Sequence, residues 1–405
     1  MHPAAHPDFQ FSSLFGKAYC GTGTSWADAR GHGTMVAGFA AGNPIGSPQD
    51  PKDFYYFHYG MGLAPGASLY AQRIFSTGGT LCTGTTVANW AQDAITEKNL
   101  RGYHSVVQNH SYNDYSTTLV NNVCVQTANG VYTTRSQEYD YAVRDTGLPI
   151  SVSAGNVCQF SITGCTRPCP SMVLPPATAK NVLSVGASET YRPGMAPPCD
   201  HSTQTVRQAE DYWASSLKRV AYVSRRGTSD GRVKPDIVAP ASMAGSTIRN
   251  DVFKPFCKKP NPALQPTQNE NGFYSIDTGT SFAAPQAAGA MAIVNAWWNR
   301  AAMPALSPAA LKAVLVGSSL SLKGGIDDLT NTAIAARPNA TQGFGRLNID
   351  KATLSGLQQG YLDESSWPSF SGAGQTTSRT FTVTSSSQPT IIVLAWSDEP
   401  AAAQA

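Results

Sequence analysis

Between residues 67 and 317, short apolar runs alternate with stretches of helical periodicity, and that alternation admits few architectures. "ASLYAQRIF" (67–75) reads as a strand. "TTVANWAQDAITEKNL" follows it, with Val87, Trp90, Ala91, Ala94 and Ile95 on one helical face. The strand-like "YHSVVQNHS", a helical stretch near 136–146, and the strand-like "LPISVSAGN", "NVLSVGA" and "KPDIVAPA" come next. Helices are expected at about 280–298 and 307–317, the second opening on Ser307-Pro308, a cap followed by a first-turn proline. Mostly apolar strands separated by helices form a parallel sheet covered on both faces. The expected fold is therefore α/β, a three-layer α/β/α arrangement around a mostly parallel sheet. After about residue 352 the texture changes: "SRTFTVTSSS" and "PTIIVLAWSD" look like strands of a separate sandwich.

Composition narrows the function classes. A chain of 405 residues can hold one large domain and a smaller one, and 41% apolar content excludes global disorder. Lys+Arg 29 against Asp+Glu 26 leaves +3, which speaks against nucleic acid or a membrane surface as partner. No apolar run approaches a membrane span. "MHPAAHPDFQ" has neither the basic start nor the apolar core of a signal peptide. Eight cysteines are present: Cys20, Cys82, Cys124, Cys158, Cys165, Cys169, Cys199 and Cys257. Their even number and the crowding in "CQFSITGCTRPC" point to disulfides and an oxidising compartment, with the Cys158–Cys169 loop expected to contribute at least one bridge. Cys165 and Cys169 have zinc-like spacing but lack a second matching pair.

Three short stretches carry chemistry. In "GTSFAAP" (279–285) Ser281 lies where a helix begins, so free N–H groups and the positive end of the helix dipole point at it. Ala283, Ala284, Ala287, Ala288 and Gly289 make that helix slim enough to bury, and Pro285 is expected early enough in it for the missing N–H to cost little. A plain helix cap is the simpler reading of an isolated serine. A lipase-type elbow is excluded, because Ala283 stands where that motif needs glycine. A nucleophilic serine needs a base, and "GHGTMVAGFAAG" (31–42) sets His32 between two glycines ahead of another slim helix. It also needs oxyanion donors. Asn156 ends "PISVSAGN" at the C-terminal edge of a strand, where sites in parallel sheets lie. Alone, Asn156 would read as a turn residue, and His58 or His104 as structural histidines.

Together these segments resemble the subtilisin-like serine peptidases. "GHGTMVAG" is similar to their histidine motif, "SAGN" to their oxyanion asparagine and "GTSFAAPQAAGAMA" to their serine motif; "GLAPGASLYAQRIF", "VVQNHSY", "RVKPDIVAPA" and "QGFGRLNI" fit between them. The resemblance spans about residues 6–350. It implies the subtilisin α/β/α fold, a peptidase domain at 1–352 and a partial C-terminal β-sandwich at 353–405. It implies endopeptidase activity on protein or peptide substrates, with Ser281 as nucleophile, His32 as general base and Asn156 in the oxyanion hole. Ser111, Tyr112 and Asn113 on one side and Ser153, Ala154 and Gly155 on the other would flank the substrate backbone and primary specificity pocket. A secreted monomer with no cofactor for the chemistry is expected. Structural calcium is compatible with the family; Asp327-Asp328 is a weak candidate pair whose simpler reading is a solvated turn.

One family element is missing from the pattern. The triad aspartate ordinarily ends the first strand, ahead of an "HPDF" segment, yet here "HPDF" is at 6–9 and "MHPAA" holds no acid. The aspartate is expected upstream of Met1, in a longer pre-pro-enzyme. Asp8 and Asp28 do not match the motif and read as ordinary surface loop acids. The alternative is a peptide-binding relative without catalytic competence; the presence of Ser281, His32 and Asn156 together favours the enzyme.

Overall fold

The computed structural model describes residues 6–9, 14–20, 25–45, 58, 60–98, 102–115, 117–120, 123–157, 171–191, 216–242, 244–247, 274–300, 306–353, 371–383 and 390–403. In chain order the elements are β1 Leu14–Ala18, α1 His32–Ala41, β2 Leu69–Arg73, α2 Val87–Thr96, β3 Gln108–His110, β4 Thr117–Val120, β5 Val123–Gln126, α3 Thr134–Thr146, β6 Ile150–Ser153 and β7 Leu183–Glu189. They continue with β8 Arg219–Val220, β9 Ile237–Ser242, β10 Ala244–Thr247, β11 Tyr274–Asp277, α4 Thr280–Arg300, α5 Pro308–Ser318, β12 Ile326–Asp327, β13 Thr332–Ala333 and α6 Ile349–Thr353.

Local chemistry explains the helix starts. Thr86 closes a capping box with Asn89 ahead of α2, and Ser307 Oγ accepts from Ala310 N at 3.1 Å with Pro308 in the first turn of α5. The central sheet runs β3-β6-β7-β9 with every neighbour parallel, and β8, β12 and β13 extend the β7 side. Alternation along β6 sends Ile150 and Val152 to α2 and α3, where Trp90, Ala91, Tyr139 and Val143 complete one core. The opposite layer packs α4 on β7 and β9, with α1 and α5 against α4, through Met35, Phe39, Phe282, Ala283, Ala287, Met291 and Leu315. Burying one such large apolar side chain contributes about 1.5–3 kcal/mol. Helices thus cover both faces of the sheet, as the alternation of the sequence predicts.

The sheet is interrupted at one place. β1 and β2 form their own parallel pair, and no ladder joins β2 to β3. Side chains span the interval instead: Gln108 Nε2 donates to Gln72 Oε1, and Gln72 Nε2 donates to the Trp90 carbonyl at 2.7 Å. Among the described residues no strand pairs with β2 or β3 on the sides that face this interval.

Of the expected C-terminal sandwich at 353–405, residues 354–370 and 384–389 lie outside the described residues. Among the described residues of 371–383 and 390–403 no strand forms. Residues 390–403 lie on the main body without a helix or strand of their own, with Val393 packed against the α5 side of the core.

Candidate active site

The serine motif begins α4. Proline at 285 has no N–H to offer the carbonyl four residues earlier, which is that of Ser281. It is the sixth helical residue, deeper than the sequence suggests, so an acceptor is freed. Ser111 Oγ, just beyond β3, takes the vacancy by donating to the Ser281 carbonyl at 2.8 Å, while Ser281 Oγ donates to the Ser111 carbonyl at 3.4 Å. This reciprocal pair fixes the serine against the C-terminal end of the sheet. The proline and the serine are therefore coupled by one missing hydrogen bond. Among the described residues nothing accepts from the Ser281 N–H.

His32 is the first residue of α1, and Gly31 before it sits at φ 81°, in the left-handed region that favours glycine. Asp28 supplies the cap. Its Oδ1 accepts from Arg30 N and Gly31 N, both at 2.9 Å, and its Oδ2 accepts from Thr34 N at 2.7 Å and Thr34 Oγ1 at 2.9 Å. Burial works to raise the Asp28 pKa, but these four bonds outweigh it and hold the carboxyl below its usual value. The His32 ring lies 5.9 Å from that of Phe282, the residue after Ser281, and the Phe282 ring packs tilted against Phe39 of α1 at 5.1 Å. His32 is exposed to solvent at the start of α1, although protein lies close enough around it to desolvate the ring. Desolvation lowers its pKa below the ordinary histidine value; Asp28 and Asp277 oppose this, and Arg30 adds to it. Among the described residues no hydrogen bond joins His32 to Ser281 or to a carboxylate. Such contacts commonly tighten only when substrate is bound.

Asn156 follows β6 and is tied to the same helix start. Its Oδ1 accepts from Thr280 N and from Thr280 Oγ1, each at 2.9 Å. That leaves its Nδ2 beside Gly279, 3.2 Å from where a Cβ would stand. Gly155 has φ 97°, and a Cβ there would come within 3.0 Å of both Arg225 Cδ and Leu174 Cδ1. Its N–H donates to Thr280 Oγ1 at 3.1 Å. Arg225 lies behind this turn, fully buried. It donates to the Asn156 carbonyl (2.9 Å), Asn129 Oδ1 (3.1 Å), the Met172 carbonyl (2.9 Å) and Gln126 Oε1.

The fold thus draws Ser281, His32 and Asn156 to one edge of the sheet, through the N-termini of α1 and α4 and the end of β6. Ser111 belongs to the same cluster. Asn113 Nδ2 donates to the Ser153 carbonyl at 2.9 Å, tying the end of β3 to β6. Tyr112 stands edge-on to Phe75, and its hydroxyl meets that of Tyr139 at 2.6 Å. Ser153 and Ala154 are fully buried, with Ala154 N donating to the Val185 carbonyl at 2.9 Å. A sequence model of the subtilase family (Peptidase_S8) matches residues 13–345. The chain belongs to the subtilase family. This subtilase is accordingly a serine peptidase with a three-layer α/β/α fold, acting on protein or peptide substrates.

The acids outside the motifs prove less ordinary than they read. Asp8 is buried, its backbone N–H accepted by His6 Nδ1 at 3.2 Å, and Asp28 is the helix cap described above; neither is a surface loop acid. Asp327-Asp328 is not a solvated turn. Asp327 pairs with Arg226 at 2.6 Å and Asp328 with Arg219 at 2.6 Å, so both carboxylates of the candidate calcium pair are engaged by arginines. Among the described residues no cluster of three or more His, Cys, Asp or Glu could hold a metal. Cys20 and Cys82 form a disulfide across 62 residues. The Cys158–Cys169 loop lies outside the described residues. No described helix is long and apolar enough to cross a membrane. Arg225 and His110 are site neighbours that the sequence reading missed. His110 ends β3, its Nδ1 2.6 Å from the Tyr139 hydroxyl, and burial pushes its pKa down to about 3.

Proposed function

We propose that the subtilase cleaves internal peptide bonds through an acyl-enzyme on Ser281. In this reading Ser281 Oγ attacks the scissile carbonyl carbon while His32 takes its proton. The carbonyl oxygen, now an oxyanion, accepts from the Ser281 N–H and from Asn156 Nδ2–H. Collapse expels the amine, which leaves with the proton from His32. Water, deprotonated by His32, then releases the acid and restores Ser281. The observation that carries the proposal is the pair of uncommitted donors at one helix start: the Ser281 N–H, and an Asn156 amide whose oxygen is held by Thr280 so that its nitrogen faces Gly279. The lowered His32 pKa supports the base role, since the neutral imidazole is the form that accepts a proton. Ser111–Asn113 and Ser153–Gly155 would flank the substrate, and no cofactor enters the chemistry. The Cys20–Cys82 disulfide supports a secreted protein.

The orienting acid is proposed to arrive on a strand seated between β2 and β3. Asp28 does not suit the role, because its two oxygens already accept four hydrogen bonds. A second reading, peptide binding without cleavage, draws on the absence of any carboxylate bonded to His32 among the described residues. A fluorophosphonate probe separates the two. Labelling that disappears in Ser281→Ala and slows markedly in His32→Ala supports the enzyme. Unchanged labelling in Ser281→Ala would reject Ser281 as nucleophile, and substrate binding without labelling would favour the second reading.

A further inference from the structure

Far along the chain from the serine, residues 397–401 ("SDEPA") lie in a groove made by the start and body of α3 and by Lys180-Asn181 ahead of β7. The contacts read main chain and charge together. Asn181 forms a two-point pair with the backbone of Asp398: Asp398 N donates to Asn181 Oδ1 at 2.8 Å, and Asn181 Nδ2 donates to the Asp398 carbonyl at 2.9 Å. An asparagine side chain here does what a neighbouring strand would do. Ala401 is held in the same way, its N–H donating to the Tyr132 hydroxyl at 3.2 Å and its carbonyl accepting from Gln137 Nε2 at 2.9 Å. Lys180 Nζ lies 2.6 Å from the Asp398 carboxylate and also donates to the Glu399 carbonyl; Arg144 pairs with the Glu399 carboxylate.

The groove is organised from behind. Asn181 is 7% exposed, and Asp140 beneath it is fully buried. Asp140 Oδ1 accepts from Asn181 N at 2.7 Å, its carbonyl accepts from Asn181 Nδ2 at 3.1 Å, and its Oδ2 accepts from the Tyr132 hydroxyl at 2.7 Å. One buried residue therefore orients two of the residues that read the peptide backbone, Tyr132 through its carboxylate and Asn181 through carboxylate and carbonyl together. Rotamers fixed in this way need little further ordering when a peptide docks. Upstream, Val393 fills the notch at Gly317 of α5, where a Cβ would come within 3.1 Å of Val393 Cγ2.

We infer that Tyr132, Gln137, Arg144, Lys180 and Asn181 form a recognition site for an extended acidic peptide, and that the chain's own Ser397–Ala401 occupies it as a latch. The latch fastens the C-terminal segment to the peptidase body. It rests on none of the residues assigned to catalysis, so it stands or falls apart from the peptidase mechanism. Because occupant and site share one chain, docking is intramolecular and a few modest contacts suffice to keep it closed.

Hydrogen exchange of the full 405-residue chain, carrying Ser281→Ala to prevent self-cleavage, tests the latch. The amides of Asp398 and Ala401 are expected to be protected. Reversing the site charges with Lys180→Glu and Arg144→Glu, both at the surface, should cut protection of 397–401 about tenfold while β6 and β7 exchange as before. Adding Asp398→Lys and Glu399→Lys to that variant should restore much of it, and high salt should weaken protection in the wild type. Free exchange at 398 and 401 in the unmodified chain would overturn the inference. So would a charge reversal that leaves 397–401 unchanged, or a double reversal that restores nothing.

Discussion

Arg225 is a permanent cation with no carboxylate among its four hydrogen-bond acceptors named above, and one of those acceptors is the carbonyl of the proposed oxyanion asparagine. Burying a guanidinium is costly unless its donors are satisfied, so the cation depends on these acceptors. Arg225→Met should therefore destabilise the protein by roughly 2–3 kcal/mol, as the buried Gln126 amide and the part-buried Asn156 carbonyl lose a donor. It should also lower kcat with little change in KM, because the turn that aims Asn156 Nδ2 loosens. Thermal unfolding and steady-state kinetics of the variant check both. Asn156→Ala should lower turnover by about 10²–10³-fold, a magnitude whose source is the equivalent donor in subtilisin, a relative. Carboxylates near His32 act oppositely to its burial. Asp277→Asn removes one that favours imidazolium, so the acid limb of the kcat/KM profile should move to lower pH. An unmoved limb would mean that Asp277 does not sense His32.

At the scale of elements, α1 depends on Asp28, four residues before the histidine it carries. Asp28→Ala should cost about 1–2 kcal/mol through loss of the cap, and Asp28→Asn rather less; a series of denaturant melts orders them. The Cys20–Cys82 bridge closes a long loop that links β1 to the segment after β2. In the chain-entropy account its removal costs roughly 4 kcal/mol, which a Cys20→Ser/Cys82→Ser melt would register. The helices were legible in the sequence because their signals are local: Ser307-Pro308, the apolar stripe of α2, the small residues after Ser281. Ser281, His32 and Asn156 stand out in the sequence because each sits in a short motif, and the roles assigned to them remain the proposal made above. What escaped was set by distant partners. Nothing in "SRRG" marks Arg225 as a buried cation, since its acceptors come from residues 126, 129, 156 and 172. The role of Pro285 emerged only when Ser111, 170 positions before Ser281, was seen to take the freed carbonyl. The interval between β2 and β3 is likewise a matter of pairing that local periodicity does not encode. In residues 390–403, Val393 packs on the body while Leu394 and Trp396 face outward, a division that depends on distant α5 and that the local sequence does not encode.

For the molecule as a whole, two buried groups set opposing pH trends. His110 has its pKa pushed down to about 3 by burial, helped by Arg135. Between about pH 3 and the ordinary histidine value the unfolded chain binds a proton that the folded chain refuses, so stability rises with pH across that window. The lowered pKa of His32 acts in the same direction. Glu189, 1% exposed, lies beside Arg219 on one side and Asp328 on another. Desolvation first, and the Asp328 charge next, push its pKa up to about 8 against the pull of Arg219. Between the ordinary glutamate value and about pH 8 the folded chain holds a proton that the unfolded chain has released, so stability falls as pH rises. Each such proton contributes at most about 1.4 kcal/mol per pH unit. Where the windows overlap, at about pH 4.5–6.5, the terms offset one another; below it the histidines dominate, and above it Glu189 does. Melts of the Ser281→Ala chain from pH 3 to 8 should therefore rise, level off and decline. Glu189→Gln should flatten the decline and leave the acid side in place, whereas His110→Gln should flatten part of the rise. If Glu189→Gln leaves the loss of stability above pH 6.5 intact, Glu189 is charged in the folded state throughout, and the Arg219 contact outweighs its burial.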